Sequence, residues 1–112
     1  REQAARKAGN RNALVRLTGD FHVAVAEMAG NRVLARAMRE IEALSSLVLL
    51  LYDSGQSPMC REDDHVLLVD AIEAGKGERA AKLMLEHLDH IQSALDLRVP
   101  QDAPIDLEAV FA

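Results

Sequence analysis

Aromatic residues are almost missing from this 112-residue chain: one Tyr, two Phe and no Trp, 3% in all. Its core must be aliphatic, drawn from the Leu, Val, Ile, Ala and Met that dominate the 49% apolar content. Cysteine occurs once, at Cys60, so no internal disulfide can form and a reducing cytoplasm is the expected compartment. The longest apolar run, Leu47 to Tyr52, falls far short of the ~20 residues of a membrane-spanning helix. Basic excess is missing too: 13 Lys and Arg stand against 18 Asp and Glu, a net charge of −5. Such a chain is not expected to grip nucleic acid or an anionic membrane by itself. Alternating β-branched runs and Asn-Gly hairpin turns are also absent, which argues against a β fold.

What the chain has instead is helical periodicity in five segments, at a length that suits one domain. A stub covers Arg1 to Lys7 and ends at Ala8-Gly9. A second helix is predicted from about Asn12 to Ala29, with Leu14, Leu17, Phe21, Val25 and Met28 as its apolar stripe and Gly30-Asn31 as its stop. Gly19 inside it costs about 1 kcal/mol relative to Ala, which implies close helix packing or the approach of a ligand. A third helix, about Arg32 to Asp53, carries Leu34, Met38, Ile41, Leu44, Val48 and Leu51 on one face. Its second half is apolar nearly all round, as in a helix enclosed by others or reserving a face for a partner subunit. The loop Ser54 to Pro58 follows, then a helix from about Arg61 to Ala74, with acidic residues Glu62, Asp63 and Asp64 in its first turn. Gly75-Lys76-Gly77 turns the chain into a fifth helix, about Glu78 to Leu97. Residues 98–112 form a tail in which Pro100 and Pro104 forbid regular helix, with a short turn expected at Leu107 to Phe111. Short loops between long helices make antiparallel neighbours, so the fold class is an all-α antiparallel bundle. The chain opens on Arg1 inside a helical pattern and is expected to be a fragment lacking N-terminal helices.

Three of these helices carry a histidine on the apolar side. Leu14, Val15, Val25 and Ala26 flank His22; Leu68, Val69 and Ile72 follow His65; Leu83, Met84, Ile91 and Leu95 surround His87. A buried imidazole needs partners for both ring nitrogens. Two readings stand side by side: three separately hydrogen-bonded core residues, or imidazoles converging on a divalent ion with a fourth position left for water or a ligand. His90, among Glu86, Asp89 and Ser93, reads as surface, and Cys60 as an inert thiol. Thr18 and Ser46 are polar residues on apolar stretches and are candidate ligand donors, unless each hydroxyl bonds back to its own helix. Arg16, Arg36 and Arg39 read as solvated charges. Met38, Met59 and Met84 suit either an adaptable pocket or gaps in the core.

Three blocks in order carry a resemblance. Phe21-His22 with Ala26 to Asn31, Asp64-His65 with Leu67 to Gly75, and Ala80 to Leu88 ending in His87-Leu88 resemble the ligand-binding FCD domain of GntR-family transcription regulators, FadR/VanR type. The resemblance implies an antiparallel helical bundle that holds a divalent metal, with zinc the expected ion, and binds a small organic acid. It implies His22, His65 and His87 as metal ligands. The family's fourth ligand is an Asp four residues before the first His, where this chain has Thr18. Thr is a poor ligand and removes a negative charge. Lys76 also departs, standing where the family often has an Asp capping the last helix.

The function implied for residues 1–112 is an effector-binding and dimerisation domain of a cytoplasmic bacterial regulator. Homodimerisation would set the spacing of DNA-binding winged helix-turn-helix domains outside this chain, so operator DNA would be met through them. No membrane and no catalysis is implied. Two rivals come from other classes. A small metal-dependent hydrolase would use an open position on three His, with Glu62 or Asp64 as base, but the chain has no His-Glu-x-x-His pattern. A purely structural helical interaction domain would keep the histidines as satisfied core residues.

Overall fold

The computed structural model describes residues 1–52, 63–97, 106, 108 and 109. Among them the chain forms five helices and no strand: α1 (Glu2–Lys7), α2 (Arg11–Met28), α3 (Arg32–Tyr52), α4 (Asp64–Glu73) and α5 (Gly77–Ser93). The expected loop Ser54 to Pro58, Met59, Cys60, Arg61 and Glu62 lie outside the described residues, as does most of the tail. Within the tail, the Asp106 carboxylate accepts the Ala109 N–H at 3.1 Å, the geometry of a helix N-cap.

The helix ends follow from local chemistry. Asn10 caps α2, its Oδ1 accepting the Ala13 N–H at 3.0 Å. Asn31 does the same for α3, accepting from Val33 and Leu34. Gly30 and Gly75 stop α2 and α4 in the left-handed region, at φ 76° and 69°, which costs glycine little. At the latter turn the Gly75 N–H reaches Ile72 O and the Lys76 N–H reaches Ala71 O, a Schellman closure. The fifth helix ends four residues earlier than its periodicity suggests. Ser93 Oγ takes the His90 carbonyl at 2.7 Å, and the Ala94 and Leu95 N–H groups fall back on carbonyls three residues earlier.

The chain divides into two compact units, residues 1–52 with 98–112, and residues 53–97. In the first unit α2 packs on α1 and on α3. The α2–α3 pair is antiparallel: the Arg11 guanidinium donates to Leu49 O at 2.7 Å at one end, and Arg39 pairs with Glu27 at 2.8 Å at the other. At mid-helix, a Cβ on Gly19 would lie 3.3 Å from Glu42 Oε2 and 3.6 Å from Ser46 Oγ. Close packing, one of the two reasons considered for that glycine, is thus what the structure shows.

This close approach changes which faces are buried. The predicted stripe of α2 is rotated: Leu14, Val15, Thr18, Gly19 and His22 are buried, whereas Met28 is 75% exposed. On α3 only Ala35 is fully buried. Its predicted apolar face turns outward instead, with Leu34, Ile41 and Leu44 exposed, while Leu47 to Leu51 are half-buried. Small side chains let two helix backbones approach, so Gly19 and Ala35 win the contact over the larger aliphatics.

In the second unit α4 packs on α5 across the three-residue turn Ala74 to Lys76. His65, Leu68 and Ala71 are buried on α4, and His87 on α5. Leu68 and Ala71 lie three and six residues beyond His65, so one narrow stripe holds both the aliphatic contact and an imidazole.

Candidate metal centre

Within the second unit, two of the predicted histidines meet. His65 enters from the first turn of α4 and His87 from the third turn of α5, and their Nε2 atoms are 3.3 Å apart. The rings cross at 66° with centroids 4.9 Å apart. On its other side the His87 ring donates Nδ1–H to Asp64 Oδ2 at 2.9 Å. The His87 side chain is 3% exposed and that of Asp64 18%.

That hydrogen bond fixes the tautomer. With its proton on Nδ1, neutral His87 presents a lone pair at Nε2. Burial holds His87 below the ordinary imidazole pKa. The Asp64 hydrogen bond and charge pull the other way, while His65 and His90 add to the lowering. The neutral form therefore prevails at pH 7. An imidazole oriented by a carboxylate behind it is the usual arrangement of a metal-binding histidine.

The donor set fits a divalent ion. Two nitrogens on one tetrahedral zinc at ~2.0–2.1 Å stand about 3.3–3.4 Å from each other. The same 3.3 Å is also within hydrogen-bond reach, where His65 Nε2–H can donate to the His87 Nε2 lone pair. His22 is buried at 6% exposure on α2, in the first unit, with its ring edge-on to Phe21 at 5.6 Å.

The FCD domain family model matches residues 1–90. The chain belongs to the FCD family. This is the C-terminal domain of GntR-family regulators of the FadR/VanR type. No curated protein and no solved structure matches the chain. An all-α, FCD-like helical fold is what the five helices display. Membership makes the chain a ligand-sensing regulatory domain, and no helix among its described residues is long and apolar enough to cross a membrane.

The FCD candidates outside the histidines fare differently. Thr18 is buried, and its hydroxyl donates to the Val15 carbonyl at 2.9 Å, one turn back in its own helix. Ser46 lines an open cleft between α2 and α3 of about 600 Å³, with Gly19, Glu42, Arg16 and Arg39 also on its walls. Asp64 was legible only as an acid in a helix's first turn or as a candidate base; its role as the acceptor behind His87 was missed. The available signal was chemical: a buried histidine with Nε2 committed needs an acceptor for Nδ1. His90 also differs from expectation, being half-buried rather than a surface residue.

Proposed function

We propose that this domain senses a small organic acid for a GntR-family regulator, with a divalent metal, expected to be zinc, held by His22, His65 and His87. The observation that carries the reading is the Nε2–Nε2 approach of His65 and His87, backed by the Asp64 carboxylate. His22 joins them as the counterpart of the FCD family's first histidine. The metal would supply a fixed positive charge to which a carboxylate oxygen binds. Ser46 is kept as a ligand donor, whereas the Thr18 hydroxyl proton is committed to Val15, so Thr18 would take part only through its oxygen lone pair, towards a cation or an N–H or O–H group.

Residues 1–112 act in this reading as one effector-binding and dimerisation domain of a cytoplasmic regulator, with 98–112 as its tail. The exposed Leu34, Ile41 and Leu44 on α3 support homodimerisation, since contiguous exposed apolar surface marks interaction sites. Operator DNA is met through a winged helix-turn-helix domain outside this sequence. The effector shifts the packing of the domain only by its difference in affinity between two arrangements. No bond is made or broken, so the domain is not an enzyme.

Elemental analysis of the purified protein and of a His65→Ala variant tests this. Stoichiometric metal in the parent and its loss in the variant are expected. Equal metal content in both, or none in the parent, overturns the assignment.

A further inference from the structure

His90 lies one turn beyond His87 on α5. Residues three apart on a helix share a face, so the two imidazoles leave α5 on the same side. The Nε2 atom of His90 is fully buried and has no hydrogen-bond partner, the one such side-chain atom among the described residues. Buried polar atoms are rarely left unmatched, because water is lost without a replacement. His90 is also near enough to His87 for the two to feel each other's charge. The sequence around His90 gives no structural reason for an imidazole there. Three positions beyond His87 and its Asp64 hydrogen bond, an aliphatic side chain would fill the space without a desolvated nitrogen.

The chemistry on this face of α5 favours an anion. His65 and His87 are neutral donors, so a divalent ion on them keeps its full charge. An oxygen anion on such an ion that extends along α5 reaches His90 after three residues, a rise of about 4.5 Å. That is the reach at which a second acceptor oxygen meets the next residue on the face.

We propose that His90 is an effector-binding residue whose Nε2–H donates to an oxygen of a small carboxylate held beside the His65–His87 pair. This rests on the metal-bound effector reading above and adds to it a residue outside the metal ligands. His90 then discriminates acids carrying an acceptor oxygen at the right reach from simple anions that only touch the metal.

The test uses zinc-loaded parent, His90→Phe and His90→Gln proteins. Phe keeps the ring volume without a donor; Gln keeps an N–H near the position of Nε2. Metal content is measured by elemental analysis, and acetate, succinate and citrate are titrated by calorimetry. The expected result is equal metal in all three. At least one acid binds the parent, binds His90→Phe about tenfold more weakly or worse, and recovers in His90→Gln. Equal acid affinity for parent and His90→Phe overturns the proposal, as does failure of all three acids to bind the zinc-loaded parent. Loss of zinc from His90→Phe alone also overturns it, by making His90 a metal ligand. A parent that takes up no zinc fails the earlier reading instead. His90 is then decided by the same titration on metal-free protein, where equal affinities again overturn it.

Discussion

Replacing Asp64 by Ala should destabilise the metal-free domain through a residue 23 positions away in sequence, His87. The substitution removes the acceptor of a hydrogen bond whose donor sits on a side chain only 3% exposed. A buried N–H left without a partner costs about 1–3 kcal/mol. For a chain of this size that is a fall in melting temperature of about 4–12 °C. Asp64 also lies in the first turn of α4, where its charge complements the helix dipole by about 0.3–1 kcal/mol. Asp63→Ala isolates that second contribution, since Asp63 is exposed at the N-cap of α4 and makes no side-chain capping bond. Asp64→Asn should fall between parent and Ala, because its amide oxygen still accepts Nδ1–H while the charge is gone.

The same variants have a pH signature. Unfolded His87 titrates near pH 6.5, and burial lowers it in the folded protein against the pull of Asp64, with His65 and His90 adding to the lowering. Between the two values the unfolded chain binds more protons, so stability rises with pH. The contribution of His87 is complete above about pH 6.5 and is lost as pH falls through that value towards the folded one. Asp64→Ala deletes both influences that raise His87, so its acid loss should extend to lower pH and grow larger. Thermal unfolding followed by circular dichroism in chelator, from pH 8 to pH 5, reads both effects. With zinc added, affinity should drop about 10–100-fold in Asp64→Ala. A metal-free Asp64→Ala protein that melts within about 1 °C of Asp63→Ala would refute the role given to this hydrogen bond.

Lys76 is the N-cap of α5 and makes no side-chain capping bond, so Lys76→Asp should stabilise the domain by about 0.5–2 kcal/mol in urea unfolding, and no gain would contradict that reading of the turn. Gly19→Ala should raise stability by up to about 1 kcal/mol, because the new Cβ meets the side-chain ends of Glu42 and Ser46 at 3.3 and 3.6 Å and Glu42 Cβ only at 3.9 Å, an ordinary contact, while Gly19→Val should lower it by crowding α3. If both substitutions are neutral, Gly19 is not the point of close approach. Thr18→Asp should cost the chelated protein about 2 kcal/mol or more by burying a carboxylate, yet strengthen zinc binding in competition with a chelator. Zinc affinity unchanged from the parent would place Thr18 away from the metal.

Periodicity made the helices legible, and Gly30 and Gly75 made their ends legible, because a left-handed residue is a local requirement that sequence states directly. The phase of the buried faces was not legible. The stripes with the most aliphatic side chains on α2 and α3 were the natural choice, yet these helices meet through Gly19, Glu42 and Ser46, and the one fully buried side chain of α3 is Ala35. Hydrophobic patterning reports what can be buried, whereas packing distance is set by what is small. The pairing of His65 with His87 was suggested by their apolar settings and family blocks, and the α4–α5 hairpin brings it about. Asp64 escaped notice because the carboxylate that serves His87 comes from the opposite helix, and only the antiparallel register of α4 and α5 aligns them.

The second unit shows why a metal would matter to such a domain beyond binding. Among its described residues the fully buried apolar side chains are Leu68, Ala71 and Ala94, and only Leu68 of these is large. Burying one Leu contributes about 1.5–3 kcal/mol, and the two alanines add less. The buried imidazoles of His65 and His87 occupy the same contact, where they bring little apolar transfer energy and must have partners. A hairpin with so thin an aliphatic core has a small margin of its own. Any ion that binds the folded imidazole pair and not the unfolded chain adds its binding free energy to that margin. The order of α4 and α5 then depends on what sits on the histidines. A sensor needs this kind of dependence: an element whose stability is low enough for a ligand to decide.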